Sequence, residues 1–318
     1  MSDRSSASRE PAEITAGHSA APLDLAVIRV SGPDATAFLQ SQLTHDVEAL
    51  SHDTLRLAGY CNAKGRLFGL FRVLRDADGS FLLITDSSLV DTVIRRLRMF
   101  VLRSKVQIDA ISDQYTLIGL AGDAVRRCGV VEERPAAGGI APCSGGFAIG
   151  WPGDAVTLLL SDAAAAQAMS ETLTAAGGAL DMENWQLQLI RAGEPWIVAA
   201  TTEAFVPQQV NLERIDGVSF KKGCFPGQEV VARMHYLGKP SRRLYRLSGS
   251  ISNGLPTPGS ALTDSDGNTV GQVVIAATSK PGQFELSAVL PVKQVAADVE
   301  LFIDGEPLAH LPLPYSLD

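Results

Sequence analysis

The sequence lacks the features that mark several large classes of protein. Its 318 residues contain no uncharged apolar run of about 18 residues, so no transmembrane helix is predicted. There is no phosphate-binding loop and no G-x-G-x-x-G fingerprint, which argues against nucleotide-dependent chemistry. The five histidines lack metal-ligand spacing, and the four cysteines include no C-x-x-C pair. We therefore expect no metal site, no disulfide framework and a cytoplasmic location.

The beginning of the chain also lacks a targeting signal. Residues 1–20 have no apolar core and carry both acidic and basic side chains, which fits neither a secretory signal nor a transit peptide. This composition predicts a disordered tail. The net charge of −8 argues against general coating of nucleic acids.

The rest of the chain shows mixed helix and strand signals, which predict an α+β fold. Helices are predicted after the turn at 31–34, over 89–102 and 163–176, and around Trp185, between a cap at Asp181 and a stop at Gly193. From Arg243 onward, short strands alternate with Gly, Pro, Asn and Asp turns, which is typical of a small β-barrel. We predict an α+β region over 21–240 and a C-terminal barrel over 241–318. Earlier strands are predicted at 23–30, 55–60, 66–74, 80–85, 106–111, 115–121, 147–151 and 156–160.

The most unusual segment has the sequence KKGCFPGQE and contains Cys224. Neighbouring ammonium groups from Lys221 and Lys222 favour a thiolate over a thiol, so this cysteine is a candidate reactive group. Gly223 and Gly227 predict a tight turn whose backbone N–H groups can form an anion-binding nest. The alternative is that Cys224 is a small buried hydrophobic residue in a structural turn.

Three other side chains are candidates for binding a flat heterocycle. Gln208 and Asn211 offer paired donors and acceptors, although such amides more often tie a loop to its neighbours. Trp185 lies on the apolar face of its helix, where core packing is the default role. Stacking on a ligand requires that one face of the indole is accessible.

Basic residues are concentrated between positions 221 and 246. This segment carries seven basic residues and one acidic residue, Glu229, on an otherwise acidic chain. It predicts a contact for a specific anionic ligand or for one nucleic acid, with a solvated arginine-rich strand as the alternative. The basic residues are Lys221, Lys222, Arg233, Lys239, Arg242, Arg243 and Arg246.

Residues 222–229 match the motif K-G-C-[FY]-x-G-Q-E in full. On this motif the chain resembles the YgfZ family of folate-binding proteins, whose fold is that of the glycine-cleavage T-protein. The resemblance covers nearly all of the chain beyond the tail. Weaker matches follow in the family's order at 31–44, 61–66, 104–106, 207–212 and 313–317.

The resemblance implies a split α+β domain with a ferredoxin-like insertion, followed by a β-barrel, around a central opening for tetrahydrofolate or a derivative. Members of the family support iron–sulfur enzymes, notably those of tRNA thiomethylation, through the motif cysteine. Carried onto this chain, Cys224 and Lys222 are the functional pair, and Trp185, Gln208, Asn211 and Arg191 are the folate candidates. The motif's structural residues are Gly223, Gly227, Gln228 and Glu229, and the anion or partner contacts are Lys221, Arg233, Lys239, Arg242 and Arg243.

The chain departs at three places from the patterns of the T-protein and of the bacterial members of the family. Residues 66–69 contain no carboxylate where the T-protein has the aspartate that assists one-carbon transfer. Leu25 stands at the position of a second tryptophan associated with the folate site. Arg191 stands where an acidic residue can bind the amino edge of the pterin, and a guanidinium has donors only.

Three functions follow from these observations. The first is a folate-binding accessory protein for iron–sulfur cluster assembly or repair and for tRNA thiomethylation, with iron–sulfur enzymes, assembly factors and tRNA as partners. The second is a folate-dependent one-carbon transferase or demethylase. The third is a non-catalytic module that docks RNA or protein through the basic segment. The sequence favours the first and leaves open whether a reaction is catalysed.

Overall fold

The computed structural model describes residues 22–121, 129, 131–152, 155–176 and 179–317. The predicted tail, Cys128 and the predicted helix stop at 177–178 lie outside the described residues. Within them the chain forms two antiparallel five-stranded sheets and a closed six-stranded barrel. None of the helices described is long and apolar enough to cross a membrane.

The first sheet is buried on both faces. In strand β1, Ile28 and Val30 belong to one hydrophobic core, whereas Leu25 and Val27 belong to another. This alternation follows from the period of two in a strand and explains the nearly continuous apolar sequence. The strand order in this sheet is β2-β3-β4-β1-β5. Two helices, α1 and α2, belong to the same part of the chain. Its elements are β1 (Leu25–Ser31), α1 (Ala35–Gln42), β2 (Leu55–Cys61), β3 (Leu67–Arg75), β4 (Phe81–Asp86), α2 (Val90–Val101) and β5 (Gln107–Ala110).

The second sheet forms the predicted insertion. Its order is β10-β6-β9-β8-β7. Without the edge strand β7, the remaining four strands have the 4-1-3-2 order of a ferredoxin-like unit. The sheet has its own core, which includes Leu120, Leu158 and Leu173. Its elements are β6 (Thr116–Ala121), β7 (Ile140–Cys143), β8 (Gly146–Gly150), β9 (Ala155–Leu160), α3 (Ala163–Ala176) and β10 (Ala179–Leu180).

After the insertion the chain returns to the first sheet. Helix α4 (Met182–Ala192) begins at Asp181, whose carboxylate accepts from the Asn184 amide, and ends at Gly193 in the left-handed conformation. Buried side chains between positions 197 and 231 then complete the first core. Helix α5 (Gln228–Leu237) closes this segment. The first domain is therefore split by the insertion, as the resemblance implies.

The C-terminal strands close into a barrel, as the sequence predicts. The order is β11-β14-β13-β12-β15-β16, with β16 paired back onto β11. Closure leaves no unpaired sheet edge in the barrel. Its elements are β11 (Arg242–Ser250), β12 (Ala261–Thr263), β13 (Thr269–Lys280), β14 (Gln283–Pro291), α6 (Val292–Ala296), β15 (Leu301–Ile303) and β16 (Glu306–Leu311).

Candidate functional site

Lys222 fixes the cysteine motif to the end of helix α1. Its ammonium donates to the backbone carbonyls of Gln40, Leu43 and His45. Carbonyls at a helix C-terminus have no partner within the helix and carry partial negative charge, so a cation is well placed there. The ammonium also lies 5.5 Å from the ring centroid of Phe225. These contacts make Lys222 an anchor of the motif, and its predicted effect on thiol ionisation stays a prediction.

The environment of Lys222 also changes its protonation. Burial of the side chain lowers the pKa of Lys222 to about 8, against the opposing effect of Asp46 and Glu48. Burial removes water from the ammonium and so disfavours its charged form, whereas the two nearby carboxylates favour the charged form and offset part of this effect.

Gly227 fixes the other end of the motif against the turn at 61–66. Its φ is +77°, and a Cβ added there would lie 2.5 Å from both the Asn62 carbonyl oxygen and the Gly65 Cα. The cysteine motif and the weaker match at 61–66 are therefore in direct contact. A Cβ on Gly223 would meet nothing within 4 Å, so that glycine is not required by close packing.

Cys224 lies between these two anchors and is exposed. The alternative of a buried structural cysteine is therefore wrong. Among the other described cysteines, Cys61 is buried and its pKa is raised by desolvation, and burial raises the pKa of Cys143 to about 11. The motif thus presents a solvent-accessible thiol.

The last residues of the motif begin helix α5. Gly227 is the N-cap, and the backbone N–H of Gln228 donates to the Phe225 carbonyl. Glu229 is exposed in the first turn, where a negative charge interacts favourably with the helix dipole.

Gln208 and Asn211 connect the loop before the motif to its neighbours. The Gln208 amide donates to the Val231 carbonyl at 2.6 Å, and the Asn211 amide donates to the Leu244 carbonyl at 2.9 Å. Both side chains are buried. These are the loop-tying contacts that the sequence left as one alternative, and a role in folate binding stays a prediction.

The structure does not bring the basic residues of 221–246 into one open surface. Arg243 is buried and pairs with Glu213. The Arg246 guanidinium lies 2.9 Å from the Glu285 carboxylate, and Arg242 donates to the Val270 carbonyl at 3.3 Å. Lys222 is held by α1. The exposed members of the predicted contact are Lys221, Arg233 and Lys239.

A second candidate site lies where the first sheet, the second sheet and the barrel share one hydrophobic core. Trp151, Trp185 and Trp196 meet there edge to face, with ring centroids 4.8 to 6.0 Å apart. Each is at most 1% exposed. The indole of Trp185 therefore presents no solvent-accessible face for stacking in this structure, and its predicted contact with folate stays a prediction.

A buried ion pair adjoins the three tryptophans. Arg72 and Glu194 form this pair, with side chains 6% and 1% exposed. The Arg72 guanidinium lies 4.7 Å from the ring centroid of Trp151. Burial raises the pKa of Glu194, and the Arg72 charge opposes that rise. We call these two residues and the three tryptophans the junction.

Four buried polar atoms of the junction have no hydrogen-bond partner among the described residues. They are Nε of Arg72, Oε1 of Glu194 and the indole Nε1 atoms of Trp151 and Trp185. The Nε1 of Trp196 is satisfied by the Asp86 carboxylate at 3.0 Å. Unpartnered polar atoms in a protein interior are unfavourable, which makes this cluster a candidate for binding a polar ligand.

Sequence reasoning missed Arg72 and Glu194. Each is a charged residue within an apolar run, and such residues are seldom fully buried unless they are paired. Arg191, which the resemblance placed in the folate site, pairs with Glu285 of the barrel at 2.9 Å. Leu25 is buried in the core of the junction.

Comparisons with known proteins agree with this architecture. The family model "GCVT N-terminal domain" matches residues 23–128. The glycine cleavage system aminomethyltransferase T from Bartonella henselae shares the fold. The similarity covers 94% of this chain and 87% of that chain, with a TM-score of 0.68 and 18% identity. The chain is thus a T-protein-like fold with a thiol-bearing surface motif.

Sequence relatives define the family more narrowly. The tRNA-modifying protein YgfZ of Shigella sonnei is 32% identical over 304 residues, which is 93% of this chain and 92% of the relative. The tRNA-modifying protein YgfZ of Escherichia coli O157:H7 is 33% identical over the same length. The chain belongs to the YgfZ family, as the cysteine motif predicts.

Proposed function

We propose that this protein is a folate-binding accessory factor that acts through Cys224 to support iron–sulfur enzymes, including those of tRNA thiomethylation. The observation that carries the proposal is an exposed thiol on a turn anchored by Lys222 on one side and Gly227 on the other. A thiol that only filled the core would be buried. The relatives' description as tRNA-modifying supports tRNA as a partner. Iron–sulfur assembly factors are proposed as partners on the family resemblance alone.

The junction supports a reduced folate as the cofactor. A pterin edge carries both hydrogen-bond donors and acceptors in one plane. The unpartnered atoms of the junction supply one acceptor, on Glu194, and three donors, on Arg72 and the two indoles. The donor set therefore fits the group that the fold family implies. When bound, a reduced folate would supply a one-carbon carrier or an electron-rich ring.

Glu194 supports a pterin contact despite the departure at Arg191. The resemblance places an acidic residue at position 191 to bind the amino edge of the pterin. Here Arg191 is paired with Glu285, and the fully buried carboxylate lies three residues further along. We assign the pterin contact to Glu194 and to Trp185 of the junction.

Glu194 also supports the alternative function of a folate-dependent one-carbon transferase. That alternative requires a carboxylate facing the folate, and burial raises the pKa of Glu194, as in many carboxyls that exchange a proton. Turnover of a methylamine donor with tetrahydrofolate would favour this second function.

The thiol role is tested by complementation. In a bacterial strain that lacks its own YgfZ relative, we expect the wild-type chain to restore thiomethylated tRNA and Cys224→Ser to fail. Cys143→Ser is the matched control and should function like the wild type, because Cys143 lies outside the motif. Circular dichroism would verify that Cys224→Ser is folded. Full function of folded Cys224→Ser would contradict the proposal.

A further inference from the structure

We propose that the open edge of strand β5, with the groove beside helix α2, binds an extended, acidic and apolar segment of a partner protein. β5 is the last strand of the first sheet, and within the described ranges it pairs with β1 alone. An unpaired strand edge is a template for the addition of a further strand. This site is separate from both Cys224 and the junction.

The register of β5 shows which backbone groups are available. The Ile111 amide donates to the Val27 carbonyl at 3.0 Å, which places residues 107 and 109 in the hydrogen-bonded positions facing β1. The N–H and C=O groups of Ile108 and Ala110 therefore point toward the open edge. The Arg98 guanidinium now donates to the Ile108 carbonyl.

The surface beside this edge is concave, and the last turn of α2 with the residue after it exposes apolar side chains. A cavity of about 410 Å³ lies between the end of α2 and β5. Met99, Phe100 and Leu102 are 64%, 40% and 87% exposed. Clustered exposed apolar residues commonly mark an interaction site. The cavity is lined by Arg98, Val101, Val106, Gln107, Ile108 and Asp109.

The charge of this surface indicates the chemistry of the partner. Although the chain is net negative, the region around the groove exposes a cluster of basic side chains, and Asp109 is the acidic residue among the cavity's lining residues. An acidic segment is therefore complementary. RNA would satisfy the charges but would leave the open backbone edge and the apolar side chains unused. The exposed basic residues are Arg95, Arg98, Arg103 and Lys105.

Strand addition would rearrange the contacts that Arg98 makes with the Ile108 carbonyl and with Asp109. An N–H group of the incoming segment would replace Arg98 as the donor to the Ile108 carbonyl, and the guanidinium would then pair with a carboxylate of the segment. The present Arg98–Asp109 pair, at 3.6 Å, joins two side chains that are more than half exposed, so little opposes this exchange. Alternate apolar residues of the segment would enter the groove.

Binding of a designed peptide tests the proposal. The probe is a fluorescein-labelled peptide of about eight alternating glutamate and valine residues, which presents either register, and anisotropy measures its affinity. We expect saturable binding that Ala110→Pro weakens by about tenfold or more. Proline removes the outward N–H of Ala110 without removing a bond to β1. Arg103→Glu should also weaken binding, whereas the control Lys280→Glu, in the barrel, should not.

Several results would overturn the proposal. These are no saturable binding, equal affinity of wild type and Ala110→Pro, or equal affinity for a peptide in which lysine replaces glutamate. A concentration-dependent dimer of the wild type that Ala110→Pro abolishes would assign the edge to a second copy of this chain instead. Displacement of the peptide by single-stranded RNA at comparable concentration would assign the surface to nucleic acid.

Discussion

Cys224 differs from the other described cysteines in exposure, and this difference predicts its chemistry. The attacking species in thiol alkylation is the thiolate, which must also be accessible. Cys224 is exposed, whereas burial raises the pKa of Cys61, and the pKa of Cys143 is raised to about 11. This raised pKa keeps the Cys143 thiol largely protonated at pH 8.

We therefore expect iodoacetamide at pH 8 to modify Cys224 first. The measurement is peptide mapping by mass spectrometry over time, in a Cys128→Ser background. As the pH rises from 8 to 11, labelling of Cys143 should accelerate, because its thiolate fraction grows through that range. Modification of Cys61 before Cys224 in the folded protein would be inconsistent with the structure.

At the residue scale the sequence predicts the motif but not the contacts that hold it in place. The motif identifies Cys224 and Lys222 without any coordinates. The Lys222 ammonium contacts three carbonyls at and just beyond the end of α1. These residues lie about 180 positions earlier in the chain, so no local pattern reveals the contact. The sequence predicts that Arg243 belongs to a basic surface, yet its side chain is buried and pairs with Glu213.

At the scale of elements, the turn that precedes α5 depends on one glycine. Gly227 combines a positive φ with a close approach to the 61–66 turn. We expect Gly227→Ala to lower the free energy of unfolding by about 1–3 kcal/mol through backbone strain alone, with further loss from the contact at Asn62. The measurement is urea denaturation at equilibrium.

Gly223→Ala is the matched control in the same motif. A Cβ at Gly223 meets nothing within 4 Å, so the change should remain within about 0.5 kcal/mol. Equal destabilisation by the two alanines would show that the packing of Gly227 does not fix the turn.

Most elements with clear periodicity are predictable from the sequence, and the exceptions have physical reasons. The predicted helix at 89–102 is observed over Val90–Val101, and the predicted helix at 163–176 is observed as α3. Helix α5 is missed because its start is hidden by the glycines and proline of the motif and because Val231 is its one buried hydrophobic residue. Tertiary contacts with the loop at Gln208 stabilise it instead.

At the scale of the whole molecule, the junction holds a charged pair among three structural units. The sequence predicts the split domain, the insertion and the barrel, because short strands alternate with turn residues after Arg243 and because the cysteine motif indicates the family. It does not predict that Arg72 of β3 meets Glu194 beyond α4, since the pair is 122 residues apart. Such long-range contacts depend on how the two sheets and the barrel pack against one another.

The buried pair of Arg72 and Glu194 predicts how substitutions change the free energy of unfolding of the ligand-free protein. We expect Arg72→Leu to destabilise the protein by about 3–5 kcal/mol, because Glu194 is left as an uncompensated buried carboxylate. The double variant Arg72→Leu/Glu194→Leu should recover much of that loss. Chemical denaturation of the four members of this cycle measures the coupling. Additive losses would mean that the pair does not act as a unit.

Calorimetric titration with tetrahydrofolate under anaerobic conditions tests the central claim, a folate site at the junction, most directly. We expect saturable binding to the wild type that Glu194→Gln and Trp185→Ala each weaken tenfold or more, about 1.4 kcal/mol. The control Arg191→Ala should bind like the wild type, because Arg191 pairs with the barrel. Circular dichroism would establish that each variant is folded. Absence of binding, or equal affinity of folded Glu194→Gln, would contradict the account.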